Sequence, residues 1–153
     1  MAKANLTYAH LAENVFPSEG GKLNVIGAFG GIGNPGSIGA QNFPIVYPRL
    51  ALAVGLSTTE TKLPVEVTFR DGKGKDIVNP FSGTFEIERP DGGQEAAAVS
   101  FNLNFDSFQI AEAGPLYITI ESGDDELAEL TLNVVQAENQ TPQSPPAAPP
   151  TKK

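Results

Sequence analysis

Residues Val65–Arg70 read VEVTFR, an uninterrupted alternation of apolar and polar side chains. Successive side chains of a β-strand point to opposite faces of the sheet. Val65, Val67 and Phe69 are therefore predicted to face a core, and the polar residues between them to face water. The same period of two recurs in four later segments, at residues 81–88, 99–105, 116–121 and 129–134. Each of these segments is predicted to be a strand with one buried and one solvated face.

Leu50–Leu56 (LALAVGL) is apolar at every position, as expected of a strand that is covered on both faces. Two earlier strands are predicted at Asn5–Ala12 and Lys22–Phe29. Turn sequences rich in Gly and Asp separate the later strands, at residues 71–74, 90–93 and 122–125. No helical periodicity lasts three turns, although Gln94–Ala98 permits a short helix. About eight short strands at this spacing predict an all-β sandwich or barrel.

The composition excludes several classes of protein. The chain has 153 residues, enough for one domain, and no cysteine, so disulfides, thiolate metal sites and a cysteine nucleophile are excluded. The formal net charge of −8 leaves no basic stripe for a phosphate backbone or an anionic membrane. The first residues contain no apolar signal-peptide run, and no segment approaches the roughly 20 apolar residues of a membrane span. We therefore expect a cytoplasmic location and a protein partner.

The sequence divides into a domain at residues 1–137 and a tail at residues 138–153. The tail is rich in Pro, Gln, Ser and Ala, and it spells P-x-x-P twice. Such a composition has little to bury, so the tail is predicted to be disordered, with an extended polyproline II character that could bind an aromatic groove.

Gly27–Pro48 interrupts the strand pattern with a long stretch rich in Gly and Pro. Its segment Gly31–Gly36 (GIGNPG) matches the dinucleotide fingerprint G-x-G-x-x-G, but that site also needs a helix beginning at the last glycine. The following residues SIGAQNFP have no helical face, so no cofactor is predicted. A structureless loop of this length is uncommon and often functional. We predict that it binds a partner through Gly30, Gly31, Ile32, Asn34, Ile38 and Phe43.

His10 is the single histidine of the chain. In a strand with a period of two, His10 lies on the same face as Leu6 and Tyr8, which predicts a half-buried or strand-end position. A serine triad would also need a nucleophile elbow, and no G-x-S-x-G is present. Glu66, Glu86 and Glu88 could pair as glycosidase carboxylates, but outward strand acids commonly serve solubility. No catalytic residue is predicted.

Asp124, Asp125 and Glu126 form the one acidic cluster that could bind a metal. Calcium prefers six to eight oxygen ligands, so a second loop such as Asp106–Glu112 would have to contribute. Solvated turn charges explain the cluster better, and no metal site is predicted.

Several blocks of the sequence resemble a known family. The blocks are Leu6–Glu13 (LTYAHLAE), Gly21–Phe29 (GKLNVIGAF), Leu50–Leu56 (LALAVGL), Gly83–Ile87 (GTFEI) and Ala113–Ile120 (AGPLYITI). They resemble small bacterial proteins catalogued as a domain of unknown function, over about Leu6–Val135. The resemblance implies a cytoplasmic bacterial β-sandwich and supplies no activity.

Gly114–Tyr117 (GPLY) also resembles the start of a late strand in immunoglobulin-like and fibronectin-type sandwiches. In those domains a tyrosine bonds back to nearby backbone as a tyrosine corner. The resemblance implies an antiparallel, immunoglobulin-like sandwich, and it assigns that corner to Tyr117.

These features favour a non-catalytic binding or scaffolding module that acts through its loops. A small-ligand or calcium-binding sandwich is the first alternative, and a hydrolase is the second. The oligomeric state stays open, since exposed strand edges could pair across a dimer.

Overall fold

The structure is a computed structural model that describes residues 3–19, 22–89, 93 and 95–137. Eleven strands lie in this part of the chain, and it contains no α-helix. Their bounds are β1 Ala4–Pro17, β2 Leu23–Gly31, β3 Gly36–Ala40, β4 Ile45–Tyr47, β5 Leu50–Thr58, β6 Lys62–Asp71, β7 Phe81–Glu86, β8 Ala97–Phe105, β9 Phe108–Ile110, β10 Gly114–Ser122 and β11 Asp125–Gln136. The eight strands predicted from the sequence are all present, and β3, β4 and β9 are additional short strands.

Two sheets pack face to face, which confirms the all-β sandwich. One sheet has the order β2-β1-β5-β8 and the other the order β3-β11-β10-β6-β7. The short strands β4 and β9 pair with each other separately. All pairs are antiparallel except β3 with β11, which run parallel. The sandwich is therefore mixed at one edge rather than purely antiparallel.

The core lies between the sheets and follows the alternation of the sequence. On β6, Val65, Val67 and Phe69 are buried beside the inward residues of β10 and β11 in the same sheet, and the inward residues of β5 in the other sheet belong to the same core. Phe69 contacts Phe105 and Phe108, with ring centroids 5.2 and 5.8 Å apart. This aromatic cluster joins β6, β8 and β9 across the sandwich.

β5 is buried on both faces, as its composition predicts. Leu50, Leu52, Val54 and Leu56 are buried in the main core, and Ala51 and Ala53 in a small outer cluster with β1 and β2. The ring of Tyr8 lies across Gly55, where an added Cβ would stand 2.2 Å from Tyr8 Cε1. The small residues of β5 thus accommodate side chains of the same sheet.

The prediction that Gly27–Pro48 is a structureless loop is wrong. The segment contains the end of β2, all of β3 and β4, and it crosses from one sheet to the other. Its glycines conceal the alternation, because a strand position without a side chain gives no apolar or polar signal. The helix permitted at Gln94–Ala98 is also wrong, since Ala97 and Ala98 begin β8. The predicted disordered tail lies outside the described residues.

Candidate partner-binding groove

A groove of about 400 Å³ lies on the outer side of the four-stranded sheet, where β1 meets the turn between β2 and β3. Its lining comprises Thr7, Tyr8, Ala9, His10, Ala28, Phe29, Gly30, Gly31, Ile32 and Asn34. No Asp, Glu, Lys or Arg is among these residues. In a chain of net charge −8, the groove is an uncharged surface of rings, methyl groups and glycine backbone.

An irregularity in β1 brings two rings to the groove. The register of β1 against β5 shifts between Leu6 and Tyr8, as in a β-bulge. Leu6 packs against the core, whereas Tyr8 and His10 come to the outer face. Their rings stack with centroids 5.7 Å apart and planes 16° apart. The expectation of a half-buried or strand-end His10 is wrong, because His10 is exposed in the middle of β1.

The turn between β2 and β3 forms the other wall of the groove. Gly31 N donates to Asn34 O at 3.0 Å, and Asn34 N donates to Gly31 O at 3.2 Å. Gly33 has φ +68°, a conformation that favours glycine. The turn presents Ile32 with 53% of its surface exposed. Ile32 is thus a large apolar side chain held at the rim of the groove.

The chain crosses itself closely beneath this turn. A Cβ added to Gly30 would lie 2.5 Å from Asn34 O, and one added to Gly36 would lie 2.5 Å from Phe29 O. Both contacts are with backbone atoms, so only glycine fits at these two positions. The crossing moves the chain from β2 in one sheet to β3 in the other.

Four of the six predicted partner-binding residues line the groove, namely Gly30, Gly31, Ile32 and Asn34. The structure corrects the other two. Ile38 is only 6% exposed because it faces the core from β3, and Phe43 packs against the core away from the groove. Tyr8 was not predicted in this role, and His10 was considered only as a catalytic candidate. The feature of the sequence that could have identified these two residues is the pair of rings two positions apart on one predicted strand.

Gly36 begins a strand, so the dinucleotide fingerprint lacks the helix that would hold a pyrophosphate. Tyr117 Oη makes no hydrogen bond to backbone in the part of the chain that the structure describes, so the tyrosine corner is not formed there. His10 lies on the four-stranded sheet, whereas Glu66 and Glu86 belong to the five-stranded sheet. The structure therefore does not place His10 beside these two carboxylates, and Glu66 and Glu86 lie opposite different residues, Ser82 and Lys62, along the β6–β7 ladder.

Asp124, Asp125 and Glu126 lie at the turn between β10 and β11. Asp106–Glu112 lies at the opposite end of β10, and a strand of that length spans roughly 30 Å. Within residues 3–19, 22–89, 93 and 95–137, no three side chains of His, Cys, Asp or Glu come together as possible metal ligands. The second loop that calcium would need is therefore out of reach of the acidic turn.

A second concavity of about 430 Å³ lies between β4 and the loops before β7 and β10. Its apolar wall includes Ile45, Ile77, Ile110 and Leu116. Two of its four charged lining residues, Asp76 and Glu112, form ion pairs. Arg70 Nε lies 3.1 Å from Asp76 Oδ1, and Lys73 Nζ lies 3.1 Å from Glu112 Oε1. The second pair connects the loop after β6 with the loop before β10.

Asp71 organises one of these loops. Its Oδ1 accepts the backbone N–H groups of Lys73 and Lys75, both at 2.9 Å. The hydrogen bond from Lys75 is the main cause that lowers the pKa of Asp71 below its ordinary value of 3.8, with the Lys73 N–H adding to it and burial opposing it. The ionised carboxylate therefore favours the folded loop.

Replacing Asp71 with Ala is expected to lower the melting temperature at neutral pH. Because the folded pKa lies below the unfolded one, the stabilisation is fully present above about pH 5 and is lost as the pH falls through the folded pKa. The difference in melting temperature between the wild type and D71A should therefore shrink on acidification, as followed by circular dichroism. Asp124→Ala, at an exposed turn, is the control and should stay near the wild type at both pH values. A D71A difference that is equal at neutral and low pH would contradict this account.

Comparison with known proteins places the chain in a family. A family of unknown function (DUF6941) matches residues 7–135. The chain belongs to this family. The DUF6941 match covers β1 to β11, and it confirms the resemblance drawn from the sequence. A search of curated proteins gave no match.

Two solved structures are similar to this DUF6941 chain at low identity. A Pseudomonas fluorescens alkylpurine DNA glycosylase bound to DNA shares 12% identity at a TM-score of 0.42, over 88% of this chain and 31% of that protein. A Bifidobacterium dentium β-glucuronidase with a coumarin glucuronide shares 11% identity at a TM-score of 0.38, over 87% of this chain and 18% of that protein. The chain thus spans less than a third of either protein.

No helix in the described part of the chain is long and apolar enough to cross a membrane.

Proposed function

We propose that this protein is a non-catalytic binding module that takes a short segment of a protein partner in the groove beside Tyr8 and His10. The observation that carries the proposal is the convergence of four predicted contact residues with a stacked ring pair in one uncharged groove. Apolar lining with a few polar groups is the usual chemistry of a binding pocket.

The lining selects the kind of segment that would bind. An apolar or aromatic side chain would pack against Ile32 and the stacked rings, as anchor residues do in protein interfaces. The side-chain amide of Asn34 offers hydrogen-bonding groups for a peptide main chain. A phosphorylated or strongly acidic segment would lack a cationic counterpart among the lining residues. A neutral, apolar peptide is therefore the proposed ligand.

We also propose that the sandwich is immunoglobulin-like. The antiparallel runs β1-β5-β8 and β11-β10-β6-β7 follow the orders A-B-E and G-F-C-C′ of variable-type domains. In such domains loops and edges carry binding while the sheets provide a rigid support. A bacterial, cytoplasmic origin stays a prediction from the sequence.

Replacing Ile32 with Asp is expected to reduce retention of the partner at least tenfold, because a charge would enter the apolar rim. The measurement is quantitative mass spectrometry of proteins that a tagged chain retains from a lysate of its own cells. Val135→Asp is the matched control, since Val135 on β11 is 51% exposed and lies outside the groove. His10→Ala should also weaken retention, because it removes half of the ring pair.

Partner retention is compared only among variants that circular dichroism shows to be folded. No protein retained specifically by the wild type would contradict the proposal. Equal retention by the wild type, I32D and V135D would assign the binding to another surface and would also contradict it.

A further inference from the structure

β8 is an unusual edge strand. It has nine residues, reads AAVSFNLNF, and contains no charged residue and no proline. Its register with β5 is unbroken from Leu50–Phe105 to Thr58–Ala97. On its other side it pairs with no strand in the part of the chain that the structure describes. Soluble proteins usually protect such an edge with charges, proline, bulges or a short strand.

The other three edges of the two large sheets each have such a protection. β2 contains a register irregularity against β1 and the positive φ of Gly27, which disrupt its ladder. β3 has only five residues. β7 has six, and its Glu86 forms an exposed ion pair with Lys62. Of the four edge strands of the two large sheets, only β8 therefore lacks such a protection in the part of the chain that the structure describes.

The side chains next to this edge are apolar and incompletely covered. Phe101 is half-buried and stacks on Phe81 and Phe85 of β7, with ring centroids 5.8 and 5.4 Å apart. These rings close the seam where the edges of the two sheets meet. A strand added to β8 would bury the rest of this seam as well as satisfying the backbone groups of the edge.

We propose that β8 pairs antiparallel with β8 of a second copy of this chain about a two-fold axis at Phe101. In that register Ser100 of each copy lies opposite Asn102 of the other, and Val99 lies opposite Leu103. Polar residues then meet on the outer face and apolar residues on the inner face. An uncharged strand avoids the like-charge contacts that a two-fold axis would otherwise create in this acidic protein.

Charge at the ends of β8 supports a second copy as the occupant. Arg89 Nη2 donates to Thr58 O at 2.9 Å, which places the guanidinium beside Ala97 at the start of β8. Among the described residues, this guanidinium has no carboxylate in an ion pair. The two-fold axis would bring the exposed Asp106 of the other copy opposite residue 96. Each end of the shared ladder would therefore bring an aspartate near Arg89, whose Nη1 also donates to the backbone oxygens of Gly93 and Glu95.

The test is the mass of the full chain in solution, measured by light scattering and sedimentation over a concentration series. The wild type is expected at twice its 16.1 kDa. The double variant S100K/N102K places lysines opposite lysines across the axis, and it should weaken the dimer at least tenfold. S82K/T84K puts the same charges on the β7 edge, and it should leave the dimer intact.

A wild type that is monomeric at every concentration would overturn the proposal, and so would a dimer that S100K/N102K leaves unchanged. If S100K/N102K fails to fold, hydrogen exchange of the wild type decides. Amides of residues 97–105 should exchange more slowly in concentrated than in dilute protein, and equal rates would overturn the pairing. The groove beside Tyr8 lies at the opposite edge of the same sheet, so its variants should not change the mass.

Discussion

Replacing Phe69 with alanine is expected to lower the free energy of unfolding by about 3–5 kcal/mol, the usual cost of truncating a fully buried phenylalanine. Phe69 is 2% exposed, and its ring contacts Phe105 and Phe108. Those two rings also contact each other, with centroids 5.4 Å apart. The substitution would leave a cavity at the point where β6, β8 and β9 meet, and rigid neighbouring rings collapse poorly into such a space. Urea unfolding followed by circular dichroism measures the change.

Phe16→Ala is the control for this substitution. Phe16 belongs to the same residue type, but it is 41% exposed on β1, so its truncation should cost about 0.5 kcal/mol or less. A loss for F69A no larger than that for F16A would show that the three rings do not form a packed cluster.

The alternation of the sequence was sufficient to predict most of the fold. Segments such as 65–70 and 99–105 alternate between apolar and polar side chains. This alternation is enough to predict which face of the strand is buried and which is solvated. Leu50–Leu56 was equally informative, because a strand without a polar side must be covered twice. These are local signals, and the structure confirms them except at Thr68 and Thr119, which were predicted to face water and are only 1% and 9% exposed.

The rest depended on contacts between distant residues. β3 is held by parallel pairing with β11, whose residues follow their partners by 96 positions in the sequence, from Gly36 to Leu132. Nothing in the local sequence of Gly36–Ala40 specifies that partner. Likewise, the bulge in β1 turns Tyr8 and His10 to the outer face. The burial of His10 was predicted from a regular alternation with Leu6, and the bulge interrupts that alternation. A shift of one residue moves a side chain to the other face, so one irregularity was enough to hide part of the groove.

Gly30→Ala is expected to have the second large effect, because Gly30 lies where the chain crosses from one sheet to the other. Its added Cβ would stand 2.5 Å from Asn34 O and 2.6 Å from Gly36 N, closer than any normal contact. Both atoms belong to backbone that is held by the turn, so the strands would have to separate. Overpacking of this kind typically costs 1–3 kcal/mol, and we expect about 3 kcal/mol in urea unfolding.

The same crossing supports the groove, so Gly30→Ala should weaken partner retention together with stability. Gly39→Ala on β3 is the matched control, because among the described residues the only neighbour within 4 Å of its added Cβ is Val135 O at 3.8 Å. That variant should be neutral or slightly more stable, since alanine restricts the unfolded chain. If G30A unfolds at the same urea concentration as G39A, the chain does not cross so closely at this point. The wall of the groove would then have to be formed in another way.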